Sequence, residues 1–333
     1  MKIKLLYPFL AVLALIVVGL IGGQIVGLRF LLGVILPYLA FGFFIVMFAY
    51  RIVQWAKVPV PFRIPTTCGQ EASLSWIKPD RLESPSNKLE VVGRMILEIL
   101  LFRSLFRNTK AEVHDGPKLA YGSAKWLWLF ALIFHYSFLV IVLRHLRLFL
   151  EPVPGFVQSL EFMDGIFEIG VPTMYMTDVL LPLALIFLFL RRVMGRHLRY
   201  LSLAADYFPL FLIFAIAITG ILTRFAFRTD IAAVKELTVG LTAFSPTLAD
   251  SINPFVFVHI LLVCTLLVYF PLSKLMHMGG VFMSPTRNMI NNSRTVRHIN
   301  PWNDPNIKPH PYEAYEDEFR DFMKDAGLPL EKE

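Results

Sequence analysis

Residues 126–149 of this 333-residue chain read WLWLFALIFHYSFLVIVLRHLRLF, and this apolar stretch carries His135 and His145. It is long enough to cross the hydrocarbon core of a bilayer as a helix, which takes about 20 residues. A second apolar stretch later in the chain carries another pair, His259 and His277. An imidazole in lipid is costly unless it has a partner. The two pairs therefore predict a site that lies between two membrane-spanning helices.

The composition of the chain is that of a membrane protein. Hydrophobic residues make up 56% of the sequence, and 30 residues are phenylalanine. Isolated strands cannot satisfy their backbone groups in lipid, so we expect an all-α polytopic fold. The apolar runs predict six transmembrane helices, at about residues 5–28, 30–50, 126–148, 174–190, 206–225 and 254–277.

The spans divide the sequence into four parts. Residues 1–53 form an N-terminal transmembrane hairpin, residues 54–125 a polar loop, residues 126–278 a four-helix core, and residues 279–333 a polar C-terminal tail. Within the loop, LEVVGRMILEILLFRSLF has helical periodicity with charged residues on one stripe. This helix is too charged to span a bilayer. It lies on the membrane surface, is covered by a partner subunit, or is a plain surface helix.

The positive charge of the chain sets its orientation. The net charge of +7 comes from lysines and arginines in loops beside the spans, where the positive-inside rule places them, so it does not indicate nucleic-acid binding. The polar loop, Lys2 and Lys4, and the segment RRVMGRHLR at residues 191–199 are therefore expected in the cytoplasm. The sequence predicts a multi-pass protein of the inner (cytoplasmic) membrane with both termini inside.

The two cysteines do not predict a redox centre. Cys68 lies in the loop and Cys264 in a span, so we expect no disulfide between them. For Cys68 a structural or docking role is expected rather than chemistry. The chain has no Cys-x-x-Cys-His motif for covalent haem and no cysteine cluster for iron–sulfur or zinc. Any redox cofactor must be held by other side chains.

The four histidines fall at two levels of the bilayer. Their helices are separated by three crossings and so run antiparallel, which places His145 opposite His259 on the outer side. His135 then lies opposite His277, towards the cytoplasm. At 1.5 Å per residue, the first helix separates its histidines by about 15 Å and the second by about 27 Å, so helix tilt must absorb the difference. Two opposed imidazoles without a carboxylate or thiolate suit a six-coordinate haem iron, whereas zinc would need four ligands at one level. We therefore expect two haem b groups with these four axial ligands.

Three arginines stand at the outer ends of their spans, against the charge rule: Arg144, Arg147 and Arg224. Guanidinium groups bind carboxylates in a forked geometry, so these arginines are candidates to hold haem propionates or a quinone. The alternative is that their long side chains simply reach the lipid headgroups.

On the residues alone a second function stays open, that of a non-redox membrane anchor or transporter subunit in which the histidines are structural. A proton-relay transporter would need Asp or Glu in mid-span, and spans three to six offer none. A colourless protein that tolerates His→Gln changes would indicate this alternative.

The spacings His135-x9-His145 and His259-x17-His277 resemble those of the respiratory nitrate reductase gamma-subunit family of dihaem cytochromes b. That resemblance covers spans three to six, about half of the chain. Four further stretches, together with the two N-terminal spans, are similar to the cytochrome b subunits of the Dsr membrane complexes of sulfate-reducing microbes. They are PFRIPTTCGQ, SWIKPDRLESPS, LLFRSLFRNTK and HMGGVFMSPTRNM. This narrower resemblance covers nearly the whole chain.

The resemblance implies a quinol-linked oxidoreductase subunit in a respiratory complex for sulfate or sulfite reduction. Menaquinone would be its lipid-side substrate. A cytoplasmic iron–sulfur subunit of the heterodisulfide-reductase type would dock on the loop and tail, and further membrane and periplasmic subunits would complete the complex. The haem-ligand role carries over to His135, His145, His259 and His277, whereas no quinone-site residue carries over.

Overall fold

The computed structural model describes residues 2–58, 69–114, 116, 118–165, 173–296, 306, 308 and 310–331. Cys68 and most of the PFRIPTTCGQ stretch lie outside these residues, so the expected role of Cys68 stays a prediction. The described chain is mostly helical. Its helices are α1 (Lys2–Gln24), α2 (Val26–Lys57), α3 (Lys88–Leu101), α4 (Arg103–Arg107), α5 (Lys125–Phe149), α6 (Gly155–Asp164), α7 (Met176–Met194), α8 (Arg196–Leu201), α9 (Ala204–Phe225), α10 (Ile231–Thr242), α11 (Phe255–Tyr269), α12 (His277–Gly280), α13 (Pro285–Asn288) and α14 (Tyr312–Asp325).

The loop also contains a short antiparallel hairpin that the all-α prediction did not include. Strand β1 (Thr109–His114) pairs with β2 (Lys118–Ser123), in a register that runs from Thr109↔Ser123 to His114↔Lys118. The sequence between the strands contains Asp-Gly, a dipeptide typical of hairpin turns. The strands are only six residues long, so they give little periodic signal beside the long apolar spans.

Within the described part of the chain, five helices are long and apolar enough to cross a membrane: α1, α2, α5, α9 and the segment that starts with α11. This confirms a multi-pass helical membrane protein. The predicted fourth span corresponds to α7, which packs against α5 and α9 but carries Asp178, Arg191 and Arg192. Because of these three charges α7 is not among the five candidate spans, and the count of six spans stays a prediction.

The N-terminal hairpin packs closely against α11. Its turn lies at Ile25, where the backbone is extended, slightly earlier in the chain than the sequence suggested. A Cβ on Gly23 would lie 2.4 Å from the carbonyl oxygen of Pro254, and one on Gly19 would lie 2.8 Å from the Cα of Val258. Only glycine allows the backbones to come this close. The hairpin is therefore part of the same bundle as the histidine-bearing helices.

Buried apolar residues join the helices of the bundle. Leu212, Val258 and Leu262 form a cluster between α1, α9 and α11, while Leu181, Leu185 and Ile213 join α7 to α9. Helix α5 packs mainly on α7 and α10, whereas α11 packs mainly on α1, α2 and α9. The two histidine-bearing helices are thus held in position mainly by contacts with other helices. Their imidazoles can therefore occupy the space between them.

The last predicted span is not one continuous helix. Helix α11 ends at Tyr269, and two 3-10 turns follow at Phe270–Leu272 and Lys274–Met276. Pro271 removes a backbone donor, and Ser273 adopts an extended conformation with φ −119° and ψ 180°. His277 therefore lies on an irregular segment and not on the continuous helix that the sequence predicted.

The loop and the tail contact each other and form what we call the loop–tail module, residues 69–107 and 284–296. The Asn291 backbone N–H donates to the Pro85 carbonyl at 2.7 Å, and Arg287 pairs with Glu98 of α3 at 3.2 Å. In the same module Arg94 is buried, and burial lowers the pKa of its guanidinium, an effect that the neighbouring Glu83 carboxylate opposes. The boundaries predicted at residues 54–125, 126–278 and 279–333 stay a prediction, but the loop and tail are not separate bodies.

Candidate functional site

Two pairs of imidazole rings face each other between α5 and the α11 segment. In the His145 pair, the ring centroids of His145 and His259 lie 6.3 Å apart, with a 15° angle between the ring planes. In the His135 pair, the centroids of His135 and His277 lie 5.9 Å apart, with an angle of 85°. The structure thus brings together the four histidines that the sequence singled out, in the pairing that antiparallel helices require.

On α5 the ring nitrogens are oriented by the helix itself. Nδ1 of His135 lies 2.7 Å from the Ala131 carbonyl oxygen, and Nδ1 of His145 lies 2.7 Å from the Ile141 carbonyl oxygen. A carbonyl oxygen only accepts hydrogen bonds, so the neutral rings carry their proton on Nδ1 and donate it there. Nε2 of each ring then presents a lone pair, which is the form that binds a metal.

The opposing rings are oriented in the same way by different partners. Nδ1 of His277 lies 3.0 Å from the Lys274 carbonyl oxygen. Nδ1 of His259 lies 3.0 Å from the hydroxyl of Thr219, which donates its own proton to the Ala215 carbonyl at 2.8 Å. Thr219 therefore accepts from His259. All four histidines have Nδ1 bonded to the protein and Nε2 available as a ligand.

The ring separations fit axial ligation of one iron by each pair. An iron–imidazole bond of roughly 2 Å on each side, and about 1 Å from Nε2 to the ring centre, place two axial imidazole centroids about 6 Å apart. The observed separations are 5.9 and 6.3 Å. Among the described residues no three His, Cys, Asp or Glu side chains come together as a metal site. The donor set therefore fits a bis-imidazole haem better than a four-ligand zinc centre.

The segment that carries His277 is held from both sides. Lys274 pairs with the Asp206 carboxylate at 2.7 Å, and the Tyr269 hydroxyl donates to the Ala205 carbonyl at 3.1 Å, so α9 fixes one side. On the other side, Gly279 lies so close to α2 that a Cβ there would meet the Ile52 side chain at 2.6 Å. The contacts explain how a chain that has left the helix still presents its imidazole to His135.

Aromatic residues and a glycine complete the surroundings of the rings. Phe102 and Phe134 each make an edge-on contact with the His135 ring at 4.9 Å between centroids. Phe102 has a positive φ of 49°, which an L-residue adopts only at a cost, so its position at the end of α3 is imposed by its surroundings. A Cβ on Gly220 would lie 3.2 Å from Cε1 of His259, so this glycine lets α9 approach the ring.

The three arginines lie at the end of the bundle near the His145 pair. Arg144 is buried, pairs with Asp164 and donates to the Thr177 hydroxyl at 3.1 Å. Arg147 pairs with Glu161 at 2.8 Å. Arg224 lies over the Tyr175 ring, 4.3 Å from its centroid, and has no carboxylate within ion-pair distance among the described residues. Their role towards haem propionates or a quinone stays a prediction.

Sequence reasoning missed the residues that orient the histidines. Thr219 and Gly220 form a Thr-Gly step in the middle of an otherwise apolar span, which is the signal that could have marked them. Asp164 and Tyr175 lie in or beside the loop between α5 and α7, and no local pattern shows that they meet Arg144. Phe102 reads as one more apolar residue in the loop helix.

Fold and site together define a multi-pass helical membrane protein with two facing pairs of imidazoles between its spans. Residues 120–298 match the family described as nitrate reductase gamma subunit, which is more than half of the chain, and the chain belongs to that family. A protein of Archaeoglobus fulgidus named Hdr-like menaquinol oxidoreductase cytochrome b-like subunit is 46% identical over 277 residues, 81% of this chain and 82% of the relative. A protein of the same name from Archaeoglobus profundus is 41% identical over 278 residues, with the same coverage.

Proposed function

We propose that the chain is a dihaem cytochrome b that exchanges electrons between menaquinol and a cytoplasmic iron–sulfur subunit of a respiratory complex. One observation carries the proposal: two pairs of facing imidazoles, each ring with Nδ1 bonded to the protein and Nε2 free to bind iron. The names of the relatives support menaquinol as the substrate and a membership in a multisubunit oxidoreductase.

In this proposal His145 and His259 hold one haem b, and His135 and His277 hold the other. When bound, haem supplies one-electron redox chemistry. The protein orients the four imidazoles through backbone carbonyls and the Thr219 hydroxyl. Two imidazoles of the protein would hold each iron, which would leave no position for oxygen on the metal.

The proposed topology has six spans with both termini in the cytoplasm. Helix α7 is the sixth span, and its charged residues Asp178, Arg191 and Arg192 lie in its first and last turns, where headgroups rather than acyl chains would meet them. Helices α5, α7 and α9 and the α11 segment then form the four-helix core. The orientation rests on the lysines and arginines of the loop and of α8.

Menaquinol oxidation is proposed on the outer side, beside the His145 pair. Arg144 and Arg147 already have carboxylate partners, whereas Arg224 is free of one among the described residues. Arg224 is therefore the arginine best placed to bind a haem propionate or a quinone oxygen. Menaquinol releases two electrons and two protons, and proton release on this side would separate charge across the membrane.

For the complex itself we propose the Dsr membrane complex of sulfate or sulfite reduction, in which this chain would be DsrM. The loop–tail module would be the docking surface for a cytoplasmic iron–sulfur subunit of the heterodisulfide-reductase type. Other membrane and periplasmic subunits would complete the assembly. The Hdr-like name of the two Archaeoglobus relatives supports a partner of this class.

The test is the haem content of the purified chain, measured as the pyridine haemochrome. We expect two haem b per chain and a reduced b-type absorption band. His145→Gln and His135→Gln should each lower the content to about one haem, because each change removes one of two axial ligands. His197→Gln, which changes a histidine outside both pairs, is the matched control and should keep two. A colourless wild-type protein would refute the proposal and favour the anchor or transporter with structural histidines.

A further inference from the structure

Helix α3 turns its charged face inward. Arg94 is only 4% exposed, and its Nη1 donates to the Glu83 carbonyl oxygen at 3.0 Å. Glu98 is enclosed as well, where it pairs with Arg287 and accepts from the Ser104 backbone N–H at 3.0 Å. A helix on the surface of a soluble protein shows the opposite arrangement, with its apolar residues inward. The remaining face of α3 is therefore suited to an apolar surrounding.

That remaining face is a continuous apolar row, which we call the α3 stripe. Its residues follow helical spacing and are 84, 54, 50 and 51% exposed: Leu89, Val92, Ile96 and Leu100. Single exposed apolar residues are common on any protein, but a contiguous row marks an interaction surface. The row covers all four turns of the helix.

The end of α3 is fixed against a membrane-spanning helix. The Trp128 indole N–H donates to the Leu101 carbonyl at 2.7 Å, and the Tyr136 hydroxyl donates to the Leu100 carbonyl at 2.8 Å. Tyr136 is the twelfth residue of α5, so its Cα lies roughly 16 Å along the axis from the first residue. Because helix side chains tilt towards the N-terminus and Trp128 is the fourth residue of α5, Leu100 and Leu101 lie beside the first three turns of this span, at its loop end.

The α3 stripe is continuous with a surface that faces lipid. One turn beyond Tyr136, α5 exposes Leu139 and then Val142 on its outer surface. Because α5 is long and apolar enough to cross the membrane, these side chains lie among acyl chains. Leu100 accepts a hydrogen bond from Tyr136, which lies one turn before Leu139 on α5. The medium that covers this part of α5 thus also reaches the α3 stripe.

We propose that α3 is an interfacial helix and that the lipid bilayer covers the α3 stripe. The helix lies in the membrane surface at the loop end of the bundle, with the α3 stripe among the upper parts of the acyl chains and its charged face towards the rest of the loop–tail module. Amphipathic helices that bind this way bury their apolar face about 5–10 Å deep. Since Phe102 follows α3 directly and contacts the His135 ring, the lipid-bound helix also covers one edge of the His135 pair.

The test is site-directed spin labelling of the full chain, reconstituted without other subunits in phospholipid nanodiscs. Val92→Cys and Ile96→Cys each place a nitroxide on the α3 stripe. Leu139→Cys on α5 is the lipid-facing control, and Arg81→Cys in the loop is the aqueous control. Each variant carries Cys68→Ser and Cys264→Ala, so that the introduced cysteine is the one that is labelled. The collision rates of the nitroxide with oxygen and with a water-soluble nickel chelate give its depth.

We expect the ratio of the oxygen to the nickel-chelate collision rate at both α3 positions to be closer to that of Leu139→Cys than to that of Arg81→Cys. A label at either position on the aqueous side would overturn the proposal. That outcome includes the case in which a partner protein covers the α3 stripe in the complex, because the stripe would then face water in the isolated chain. The readout requires no haem, so it separates this proposal from the proposed function.

Discussion

The hydrogen bond at Nδ1 of each imidazole is the feature that decides what the histidines can do. Histidines that merely fill space in a bundle would not be expected all to bond the protein through the same ring nitrogen. Here Ala131, Ile141 and Lys274 offer carbonyl oxygens, and Thr219 offers a hydroxyl whose own proton is used elsewhere. Such outer partners fix the tautomer of a ligand and raise its basicity. All four rings therefore keep Nε2 available, as the proposed haem sites require.

Thr219→Val tests this orientation, because it keeps the shape of the side chain and removes the acceptor for His259. A ring that has lost this bond donates less electron density to iron, so the ferric form is less stabilised. We expect a higher reduction potential for one of the two haems in a potentiometric titration, with the other unchanged. Thr219→Ser keeps the hydroxyl and should match the wild type. Equal potentials in Thr219→Val and wild type would contradict the role given to Thr219.

The ring planes predict a difference between the two haems in electron paramagnetic resonance. Nearly parallel planes, as in the His145 pair at 15°, separate the iron d orbitals that overlap with the imidazoles. Nearly perpendicular planes, as in the His135 pair at 85°, leave these orbitals close in energy and give a larger maximum g value. We expect two low-spin ferric signals, and His135→Gln should remove the one with the larger maximum g. Loss of the other signal would show that the angles are assigned to the wrong pairs.

At the scale of elements, the close contact between the N-terminal hairpin and α11 is a backbone contact. Gly23 and Gly19 permit it, and the contact positions the helix that carries His259. The hairpin is thus a support for the site and not only a membrane anchor.

Gly23→Ala is expected to destabilise the bundle, because the new Cβ would lie 2.4 Å from the Pro254 carbonyl oxygen. Overpacking of this kind costs about 1–3 kcal/mol. Gly27→Ala is the matched control, since no atom lies within 4 Å of its Cβ position. There alanine should be neutral or stabilise by up to about 1 kcal/mol, as it does in a helix. Thermal unfolding in nanodiscs measures both, and equal melting temperatures for the two variants would argue against the close contact.

The sequence predicted the features that are encoded in long apolar runs and missed those that depend on a single residue. Apolar runs of membrane length show α1, α2, α5 and α9 directly, and antiparallel crossing gives the histidine pairing. The break before His277 was missed, because Pro271 and Ser273 act locally within an apolar run that continues past them. Thr219 was missed because its role depends on a contact between two helices, which no single segment encodes.

At the scale of the whole molecule, the membrane bundle and the loop–tail module are joined at the His135 pair. Helix α3 belongs to the module through Glu98 and Arg287, and its end touches α5 beside His135. A subunit that binds the module would therefore lie near the pair proposed to pass electrons to it. If the proposed acceptor subunit binds there, it would lie on the same side of the bundle as the proposed donor haem.

Glu98→Gln is expected to loosen the tail, because it weakens the ion pair with Arg287 and the hydrogen bonds to Ser104. Limited proteolysis with trypsin should then cut the tail several-fold faster near Arg294, while the membrane bundle stays intact. Asp321→Asn removes a carboxylate from α14, outside the module, and should leave the rate unchanged. Equal cleavage rates in Glu98→Gln and wild type would mean that the tail is held by other contacts.

The segment after Tyr269 has a consequence for the thickness of the membrane in which the chain can work. A helix longer or shorter than the local bilayer adapts by tilting. Because His277 is attached to the ends of α2 and α9 and not to the rigid part of α11, a change in the tilt of α11 need not move its imidazole. We expect the break after Tyr269 to act as a hinge, which would let the His135 pair keep its spacing when acyl chains lengthen or shorten.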